Sequence, residues 1–270
     1  MKINWFPGHM NKALRDIAEQ LKKVDVVLYL LDARIPLSSM NPSLSNLTQN
    51  KPTLYVFNKI DMADENKIKA ILPQFRSQNS DYILFNSTLS GKSDAIIAKI
   101  KKLASEKIKK YKSMGIKPTI RTMVVGIPNC GKSTLVNNLS KKAKAITGNK
   151  AGVTKKGLWL PLGDGIEIYD TPGTLYPNIE DQEVAKKLAY VGSVRDEILD
   201  FYELSVELLA LLKNLYPDAV SQRYKDAQTI EDIALSRKYV LPGGDVDVDR
   251  AARVVVDDFR KCRIGKLTLD

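Results

Sequence analysis

The sequence predicts an α/β fold with a mostly parallel sheet, followed by a small all-helical domain. Short, continuous apolar runs alternate with helical or loop-like stretches through about residue 177, and beyond Pro177 the pattern is almost purely helical. Continuous apolar runs are typical of strands that are buried on both faces of a parallel sheet. Alternation of such strands with helices indicates the α/β class. We therefore expect one domain over residues 1–177 and a second over residues 178–270.

The individual elements follow from hydrophobic periodicity. Apolar residues from Met10 to Leu21 recur at helical spacing, which predicts an amphipathic helix. Strands are predicted at 24–32, 52–58, 81–87 and 121–126, with weaker strands at 158–162 and 166–170. Helices are predicted at about 93–112, from about 132, and at 181–191, 197–213, 229–236 and 247–261.

The composition argues against several classes of protein. The chain is 44% hydrophobic and 27% charged, which supplies enough apolar material for a buried core. No apolar run approaches the roughly 20 residues that span a bilayer, and the N-terminus lacks the apolar region of a signal peptide. The two cysteines, Cys130 and Cys262, form no CxxC pair. Membrane, secreted and zinc-finger proteins are therefore not expected, whereas a cytoplasmic location is expected.

Positive charge is concentrated in the first part of the chain. Residues 1–177 carry 28 Lys and Arg against 13 Asp and Glu, whereas residues 178–270 carry 14 against 18. The densest basic stretch runs from Lys99 to Lys117. Such an asymmetry indicates a polyanionic partner, most often nucleic acid. A solvated helix face explains this stretch equally well.

A second basic cluster lies near the end of the chain. An RNA contact is predicted there, because some of these side chains should share a helix face. Salt bridges to nearby aspartates are the alternative explanation. The basic residues are Arg250, Arg253, Arg260, Lys261, Arg263 and Lys266, and the aspartates are Asp247, Asp249, Asp257 and Asp258.

Residues Gly126–Ser133 match the phosphate-loop pattern GxxxxGK[ST] in full. The pattern follows a predicted strand and opens a predicted helix, and a chance glycine turn is the alternative. Backbone N–H groups of such a loop wrap phosphates, and the helix N-terminus adds positive potential. Lys132 is expected to reach the β- and γ-phosphates, and Ser133 to ligate Mg²⁺. The predicted nucleotide-binding residues of this segment are Asn129, Cys130, Gly131, Lys132, Ser133 and Thr134.

Two later segments are predicted to complete the phosphate and Mg²⁺ site. Asp170–Gly173 (DTPG) ends an apolar strand, where Asp170 can hold Mg²⁺ through water and the Gly173 N–H can contact the γ-phosphate. A polar segment between the two motifs contains Thr154. Thr154 is the candidate switch threonine that ligates Mg²⁺ only when a triphosphate is bound.

A base-recognition segment precedes these motifs. Asn58–Asp61 (NKID) follows a predicted buried strand. The Asp61 carboxylate can accept hydrogen bonds from guanine N1–H and the 2-amino group, a pattern that adenine does not offer. Ser87 and Thr88, at the end of the next strand, are similar to the loop whose backbone N–H contacts guanine O6. Asn58, Lys59, Asp61, Ser87 and Thr88 are therefore predicted to bind GTP together with the phosphate loop.

The order of these motifs is a circular permutation of the Ras-like order. Ras-like proteins run phosphate loop, switch threonine, DxxG, NKxD and SA loop, whereas this chain begins with NKID. The permuted order, Trp5–Met10 (WFPGHM) and the C-terminal pattern Gly243-Gly244 with Arg250 and Asp258–Arg260 together resemble the RbgA/YlqF family of bacterial ribosome-assembly GTPases. The resemblance covers essentially all 270 residues.

The resemblance implies a circularly permuted Ras-like P-loop GTPase domain. It also implies Mg²⁺-dependent GTP hydrolysis coupled to late maturation of the large (50S) ribosomal subunit, with rRNA contacted by both domains. We expect a monomer that does not associate with membranes. Three alternatives differ in substrate or partner. They are an ATP-dependent kinase, a nucleotide-insensitive RNA-binding scaffold, and a GTPase that acts on the small subunit or tRNA.

The catalytic residues are predicted less directly. Ras-like enzymes orient the attacking water with a Gln directly after DxxG, and here that position is Thr174. The family resemblance implies His9, the only histidine, as the replacement, and a structural role is the alternative. It also implies that Asn129 helps to bind K⁺, whereas a loop-stabilising asparagine is the alternative. Lys132 and Thr154 complete the predicted catalytic set.

Overall fold

The computed structural model describes residue 3 and residues 8–88, 93–140, 158–175 and 179–270, with residues 8–10 and 158 described by their backbone alone. A six-stranded sheet has the order β3-β2-β1-β4-β6-β5. Its strands are β1 (Val26–Asp32), β2 (Thr53–Asn58), β3 (Ser80–Leu84), β4 (Ile120–Val125), β5 (Leu158–Gly163) and β6 (Ile166–Asp170). Every neighbouring pair is parallel except β5 and β6, which are antiparallel. The predicted mostly parallel sheet is confirmed.

The parallel pairing brings the carboxyl ends of β1, β2, β4 and β6 to one edge of the sheet. Asp32 at the end of β1 lies opposite Asn58 at the end of β2. Val124 of β4 lies opposite Asp170, the last residue of β6. In open α/β sheets, ligand sites form at this edge. Segments that are far apart in the sequence therefore meet there.

In the described ranges up to residue 175, six α-helices accompany the strands. They are α1 (Gly8–Leu21), α2 (Pro42–Thr48), α3 (Glu65–Ile71), α4 (Ser93–Leu103), α5 (Ser105–Ser113) and α6 (Lys132–Leu139). The lysine-rich region predicted as one helix is two, because the chain leaves helical geometry at Ala104. The sequence did not predict α2 and α3, which are only seven residues each and begin at the side-chain caps Asn41 and Asp64.

β3 is shorter than the strand predicted over 81–87. It ends at Leu84, although Phe85 still donates its N–H to Phe57. Asn86 then turns the chain, because its Oδ1 accepts from both the N–H and the hydroxyl of Thr88.

Regular structure in residues 179–270 is helical apart from one bridge between Val240 and Val246. Its α-helices are α7 (Gln182–Tyr190), α8 (Phe201–Leu215), α9 (Pro217–Tyr224), α10 (Ile230–Ser236) and α11 (Val248–Arg260). The sequence did not predict α9, which starts at Pro217 directly after α8. No helix in the described ranges is long and apolar enough to cross a membrane.

The sheet part and the C-terminal helices share buried apolar contacts. One core cluster contains Ile35 and Leu175 from the sheet part together with Tyr190 and Phe259 from the helices. A second cluster, on the other face of the sheet, holds the apolar face of α1 with Ile17 fully buried. The last residues also return to the sheet part. Leu267 N–H donates to Met62 O, and Leu269 N–H donates to Arg34 O.

Candidate nucleotide-binding and catalytic site

The phosphate-loop segment connects β4 to α6 and contains two glycines with positive φ angles. Gly126 and Gly131 have φ angles of +152° and +101°, which side chains rarely adopt. A Cβ atom on Gly126 would lie 2.5 Å from Leu30 O, and one on Gly131 would lie 2.4 Å from Asn58 Nδ2. Both positions therefore require glycine. The loop packs directly on the ends of β1 and β2.

Lys132 lies inside this loop. Its side chain is buried, and Nζ donates to Gly126 O at 3.1 Å and Ile127 O at 2.7 Å. The ammonium group is thus held at the mouth of the loop, where positive charge favours phosphate. Thr134 lies within the first turn of α6 and is half-buried.

Ser133 and Asp170 form the predicted Mg²⁺ pair. The Ser133 hydroxyl donates to Asp170 Oδ2 at 3.0 Å. Asp170 is buried, and its Oδ1 has no hydrogen-bond partner among the residues that the structure describes. Burial raises the pKa of Asp170, while Ser133 and Lys132 act in the opposite direction. A hydroxyl and a carboxylate with an unpaired oxygen are ligands that suit Mg²⁺, so these residues fit the metal.

The DTPG segment packs against the phosphate loop. A Cβ on Gly173 would lie 2.7 Å from Pro128 Cα and 2.9 Å from Lys132 Nζ, so this close approach requires glycine. The Thr171 hydroxyl donates to Val124 O at 2.6 Å and fixes the segment to β4. The predicted neighbours Lys132 and Gly173 are therefore brought together.

Thr174 occupies the position at which Ras-like enzymes carry their water-orienting residue, and it is completely buried. Its N–H donates to Gly126 O and its carbonyl accepts from Asn41 Nδ2, while its hydroxyl has no hydrogen-bond partner within the described ranges. The residue therefore fixes the segment to the phosphate loop. Thr154 and the side chain of His9 lie outside the described residues. The backbone of His9 belongs to the first turn of α1.

Asn58 cross-links three segments of the predicted site. Its Nδ2 donates to Ser87 Oγ at 3.0 Å and to Cys130 O at 2.7 Å, while its Oδ1 accepts from Ser87 N–H at 2.9 Å. Asn138 of α6 also donates to Ser87 O. The Ser87 N–H, predicted to face a guanine oxygen, is thus used within the protein. Ser87 supports the site by fixing Asn58.

Two other predicted base-recognition residues are exposed to solvent. Asp61 opens a short 3₁₀ turn, Ile60–Met62, and is exposed. Thr88 is exposed too, and its N–H donates to Asn86. The structure thus brings Asn58 and Ser87 to the phosphate loop and leaves Asp61 open to solvent, as an acceptor of base N–H groups must be.

Lys59 joins the base segment to the phosphate loop. Its Nζ donates to Asn129 O and to Asp32 Oδ2, both at 2.8 Å. Burial lowers the pKa of Lys59, and the Asp32 carboxylate opposes this. Burial also opposes ionisation of Asp32, but Arg34 and Lys59 outweigh it and hold the pKa of that carboxyl well below its usual range.

Sequence reasoning missed Asp32 and Arg34 as parts of this site. A carboxylate that closes a buried strand is the signal that points to Asp32. The sequence does not show that β1 lies between the NKID strand and the phosphate-loop strand. That strand order places Asp32 beside Lys59.

Asn129 and Cys130 have different surroundings. Asn129 adopts a left-handed conformation with φ +57°, and its Nδ2 donates to Gly192 O at 2.6 Å. The Ser193 hydroxyl donates to Pro128 O at 2.8 Å. The phosphate loop therefore contacts the C-terminal helices directly.

Cys130 is a buried free thiol whose pKa is raised by burial.

The basic residues make ion pairs, contacts with aromatic rings, or both. In the lysine-rich helices, Lys99, Lys101 and Lys107 pair with acidic side chains. Near the C-terminus, the salt-bridge explanation applies to Arg260, Lys261 and Arg263, which pair with Asp196, Asp257 and Asp258. By contrast, Arg250 Cζ lies 4.3 Å from the ring centre of Tyr239, and Arg253 Cζ lies 4.4 Å from the ring centre of Phe201.

Comparisons with known proteins place this site in a family. A family model described as 50S ribosome-binding GTPase matches residues 121–236. The chain is 40% identical to Ribosome biogenesis GTPase A of Bacillus cereus, covering 100% of this chain and 94% of the relative. It is 30% identical to Ribosome biogenesis GTPase A of Thermotoga maritima, covering 99% and 94%.

Solved structures agree. GNP-bound YlqF from T. maritima matches with a TM-score of 0.66 and 26% identity over 96% of this chain and 97% of that chain. GDP-bound YlqF matches the fold with a TM-score of 0.67 and 24% identity, covering 94% and 97%. The chain therefore belongs to the ribosome biogenesis GTPase A family, the RbgA/YlqF GTPases that its permuted motifs resemble.

Proposed function

We propose that this chain binds GTP at the carboxyl edge of the sheet and couples its hydrolysis to late maturation of the large (50S) ribosomal subunit. As a family member the chain is a ribosome-biogenesis GTPase. The hydrogen bond between Ser133 and Asp170, with Lys132 beside Gly173, is the observation that carries the enzymatic part. It unites a phosphate loop and a DxxG segment in one Mg²⁺-competent arrangement.

The phosphate groups are bound by the loop and the two segments packed on it. Lys132 contacts the β- and γ-phosphates, and the Gly173 N–H contacts the γ-phosphate. Ser133 and Asp170, with Thr154, would hold Mg²⁺. When bound, the metal ion neutralises charge on the phosphate oxygens. The unpaired Asp170 Oδ1 supports this assignment.

Guanine is recognised by the NKID segment. Asp61 accepts from N1–H and the 2-amino group, while Lys59 and Asn58 fix the segment against the phosphate loop. Ser87 and Thr88 line the adjacent loop. The cross-links from Asn58 to Ser87 and Cys130 support a preformed pocket. A wrong base would leave the polar groups of this pocket unpaired, which gives discrimination.

Water activation is assigned to His9, since the Thr174 hydroxyl is buried. Imidazole has a pKa suited to orienting or deprotonating water. The helix that carries His9 is fixed to β6 by Tyr169, the residue before Asp170. The Tyr169 OH donates to Asp16 Oδ2 at 2.9 Å. K⁺ near the β- and γ-phosphates would add positive charge, and Asn129 would hold it through its amide oxygen.

The partner is the large subunit and its rRNA. Residues 1–177 form the GTPase domain and residues 178–270 the helical RNA-binding domain. The net charge of +11 and the ribosome-biogenesis role for which the relatives are named support this assignment. We further propose that the protein is a cytoplasmic monomer without membrane association.

Steady-state hydrolysis of GTP and ATP, in K⁺ and in Na⁺, with and without large subunits, tests the proposal. Slow GTP-only turnover that rises with K⁺ and with large subunits is expected. Rapid ATP turnover would refute the assignment of the base pocket. Stimulation by small subunits or tRNA alone would refute the partner.

A further inference from the structure

A buried ion pair lies behind the nucleotide site. Arg34 Nε and Nη2 donate to the two carboxylate oxygens of Asp32 at 2.9 and 2.7 Å, and both residues are at most 2% exposed. Burying two charges costs desolvation energy, so such pairs add little net stability. A positioning function would explain why the pair is placed here.

The Asp32–Arg34 pair also contacts Lys59, the lysine of the NKID segment. Lys59 Nζ shares Asp32 Oδ2 and also donates to Asn129 O. The bidentate contact with Arg34 fixes the orientation of the Asp32 carboxylate. The position of Lys59 under the phosphate loop therefore depends on Arg34.

Arg34 also holds the end of α11. Its Nη1 donates to Arg260 O at 3.2 Å, and its guanidinium lies 5.6 Å from the ring centre of Phe259. A helix C-terminus carries unpaired carbonyl oxygens and partial negative charge, which a cation stabilises. The Arg34 guanidinium thus binds both the carboxylate at the end of β1 and the last turn of α11.

A second route connects the same helix to the phosphate loop. The Arg260 side chain donates to Ala189 O at 2.8 Å and Tyr190 O at 3.1 Å, at the end of α7. Two residues later, Gly192 O accepts from Asn129 Nδ2 at 2.6 Å. Both routes therefore meet at Asn129, in the phosphate loop.

We propose that Arg34 is a positioning residue for nucleotide binding and couples occupancy of the phosphate loop to the last turn of α11. The proposal rests on the proposed function, since the coupled ligand is a guanine nucleotide. Nucleotide contacts at the loop bias the position of Asn129, and this bias reaches α11 through Lys59, Asp32 and Arg34. Coupling between two binding sites is reciprocal. A partner that binds α11 therefore changes the affinity for nucleotide by the same factor by which the nucleotide changes the affinity for that partner.

The test uses the full chain and two measurements on Arg34→Met. GDP affinity is measured by titration calorimetry, and hydrogen exchange of the amides of Phe259–Arg263 is measured with and without GDP. We expect GDP affinity to fall about 10-fold, within the usual range of coupling factors. We also expect GDP to slow exchange in this segment of the unsubstituted chain and to have no such effect in the variant.

Arg223→Met is the matched control. Arg223 makes a similar two-bond contact with Asp258, which lies in α11 itself rather than at the end of a strand, and that carboxylate keeps Arg237 and Arg263 as partners. This variant should bind GDP like the unsubstituted chain and keep the GDP-dependent protection. Equal losses in both variants would mean that Arg34 is only structural and would overturn the proposal.

Arg34→Lys provides a variant that keeps the cation but loses the planar fork. Its GDP affinity should be several-fold lower than that of the unsubstituted chain. If Arg34→Met fails to fold, the GDP affinity of Arg34→Lys tests the proposal in its place. GDP affinity within twofold of the unsubstituted chain in a folded Arg34 variant overturns the proposal, as does GDP protection of Phe259–Arg263 that persists in Arg34→Met. If the unsubstituted chain binds no guanine nucleotide, the proposed function itself fails, and the inference fails with it.

Discussion

The Ser133 hydroxyl donates to Asp170 Oδ2 across 3.0 Å, although 37 positions separate the two residues. The contact exists because β4 and β6 are adjacent and parallel, so that the start of α6 faces the end of β6. One buried oxygen of Asp170 accepts no hydrogen bond there from the part of the chain that the structure describes. An ionised carboxylate in such a place is stable only if a cation or a donor meets it.

Asp170→Asn should weaken Mg²⁺ binding while leaving the fold intact. The amide keeps the acceptor for Ser133 but removes the charge, and loss of an outer ligand of this kind costs about 10- to 100-fold in metal affinity. The Mg²⁺ concentration for half-maximal GTP hydrolysis measures the effect. Asp164→Asn, at an exposed turn beside the same strand, is the control. An unchanged Mg²⁺ requirement in Asp170→Asn would contradict the assignment.

Asp61→Asn should change the base preference from guanine to xanthine. In the proposed pocket the Asp61 carboxylate accepts from the guanine 2-amino group, whereas an amide can donate to the oxygen that xanthine carries at that position. Each hydrogen bond to a charged group contributes about 1.5–3 kcal/mol, so GTP affinity should fall roughly 10- to 100-fold. Competition between GTP and XTP measures the change.

The exposure of Asp61 means that its substitution should leave thermal stability unchanged. Glu65→Gln, an exposed carboxylate in the next turn of chain, serves as the control. If Asp61→Asn retains full GTP preference over XTP, the base contact must lie elsewhere.

Contiguous motifs are the part of the proposed site that the sequence can predict. The phosphate loop, DTPG and NKID each place their functional groups within a few residues, so local spacing is sufficient. Asp32 and Arg34 were missed because their role depends on strand order, which places β1 between β2 and β4. Their contacts reach Lys59 and Arg260, which are distant in the chain.

Hydrophobic periodicity predicts the long helices of the fold but not the short ones. It predicted α1 and α11, whose apolar residues recur over three or more turns. It did not predict α2, a seven-residue helix with only Leu44 and Thr48 buried. A helix of two turns presents too few apolar positions for a pattern, so its start depends on the Asn41 cap and Pro42.

The Asp32 ion pair predicts acid sensitivity. Its folded-state pKa lies below the unfolded value of about 3.9. The stabilisation from the ionised carboxylate is therefore complete above the unfolded pKa and is lost as pH falls through the folded pKa. Urea unfolding between pH 3 and pH 7 should show a stability difference between the unsubstituted chain and Asp32→Asn that narrows below about pH 4.

At neutral pH the free energy of unfolding of Asp32→Asn should be lower by about 3–5 kcal/mol, because the buried Arg34 and the half-buried Lys59 then lack their counter-charge. Asp81→Asn is the control, since that carboxylate pairs with Lys99 and Arg76 nearer the surface. A difference between Asp32→Asn and the unsubstituted chain that stays constant down to pH 3 would show that the carboxyl is not the titrating group.

Arg253 and Arg260 should respond differently to charge reversal. Arg260 bonds Asp196 and two carbonyl oxygens at the end of α7, so Arg260→Glu should lower thermal stability. Arg253 lies over the Phe201 ring and makes no ion pair among the described residues. Arg253→Glu should therefore preserve the fold and weaken binding to large subunits.

The salt dependence of subunit binding separates an rRNA contact from a general charge effect. If Arg253 contacts a phosphate, Arg253→Glu should reduce the slope of log affinity against log salt by about 1. Lys69→Glu changes the net charge equally on exposed α3 and should leave the slope unchanged. Binding of Arg253→Glu at the affinity and slope of the unsubstituted chain would exclude this face of α11 from the rRNA contact.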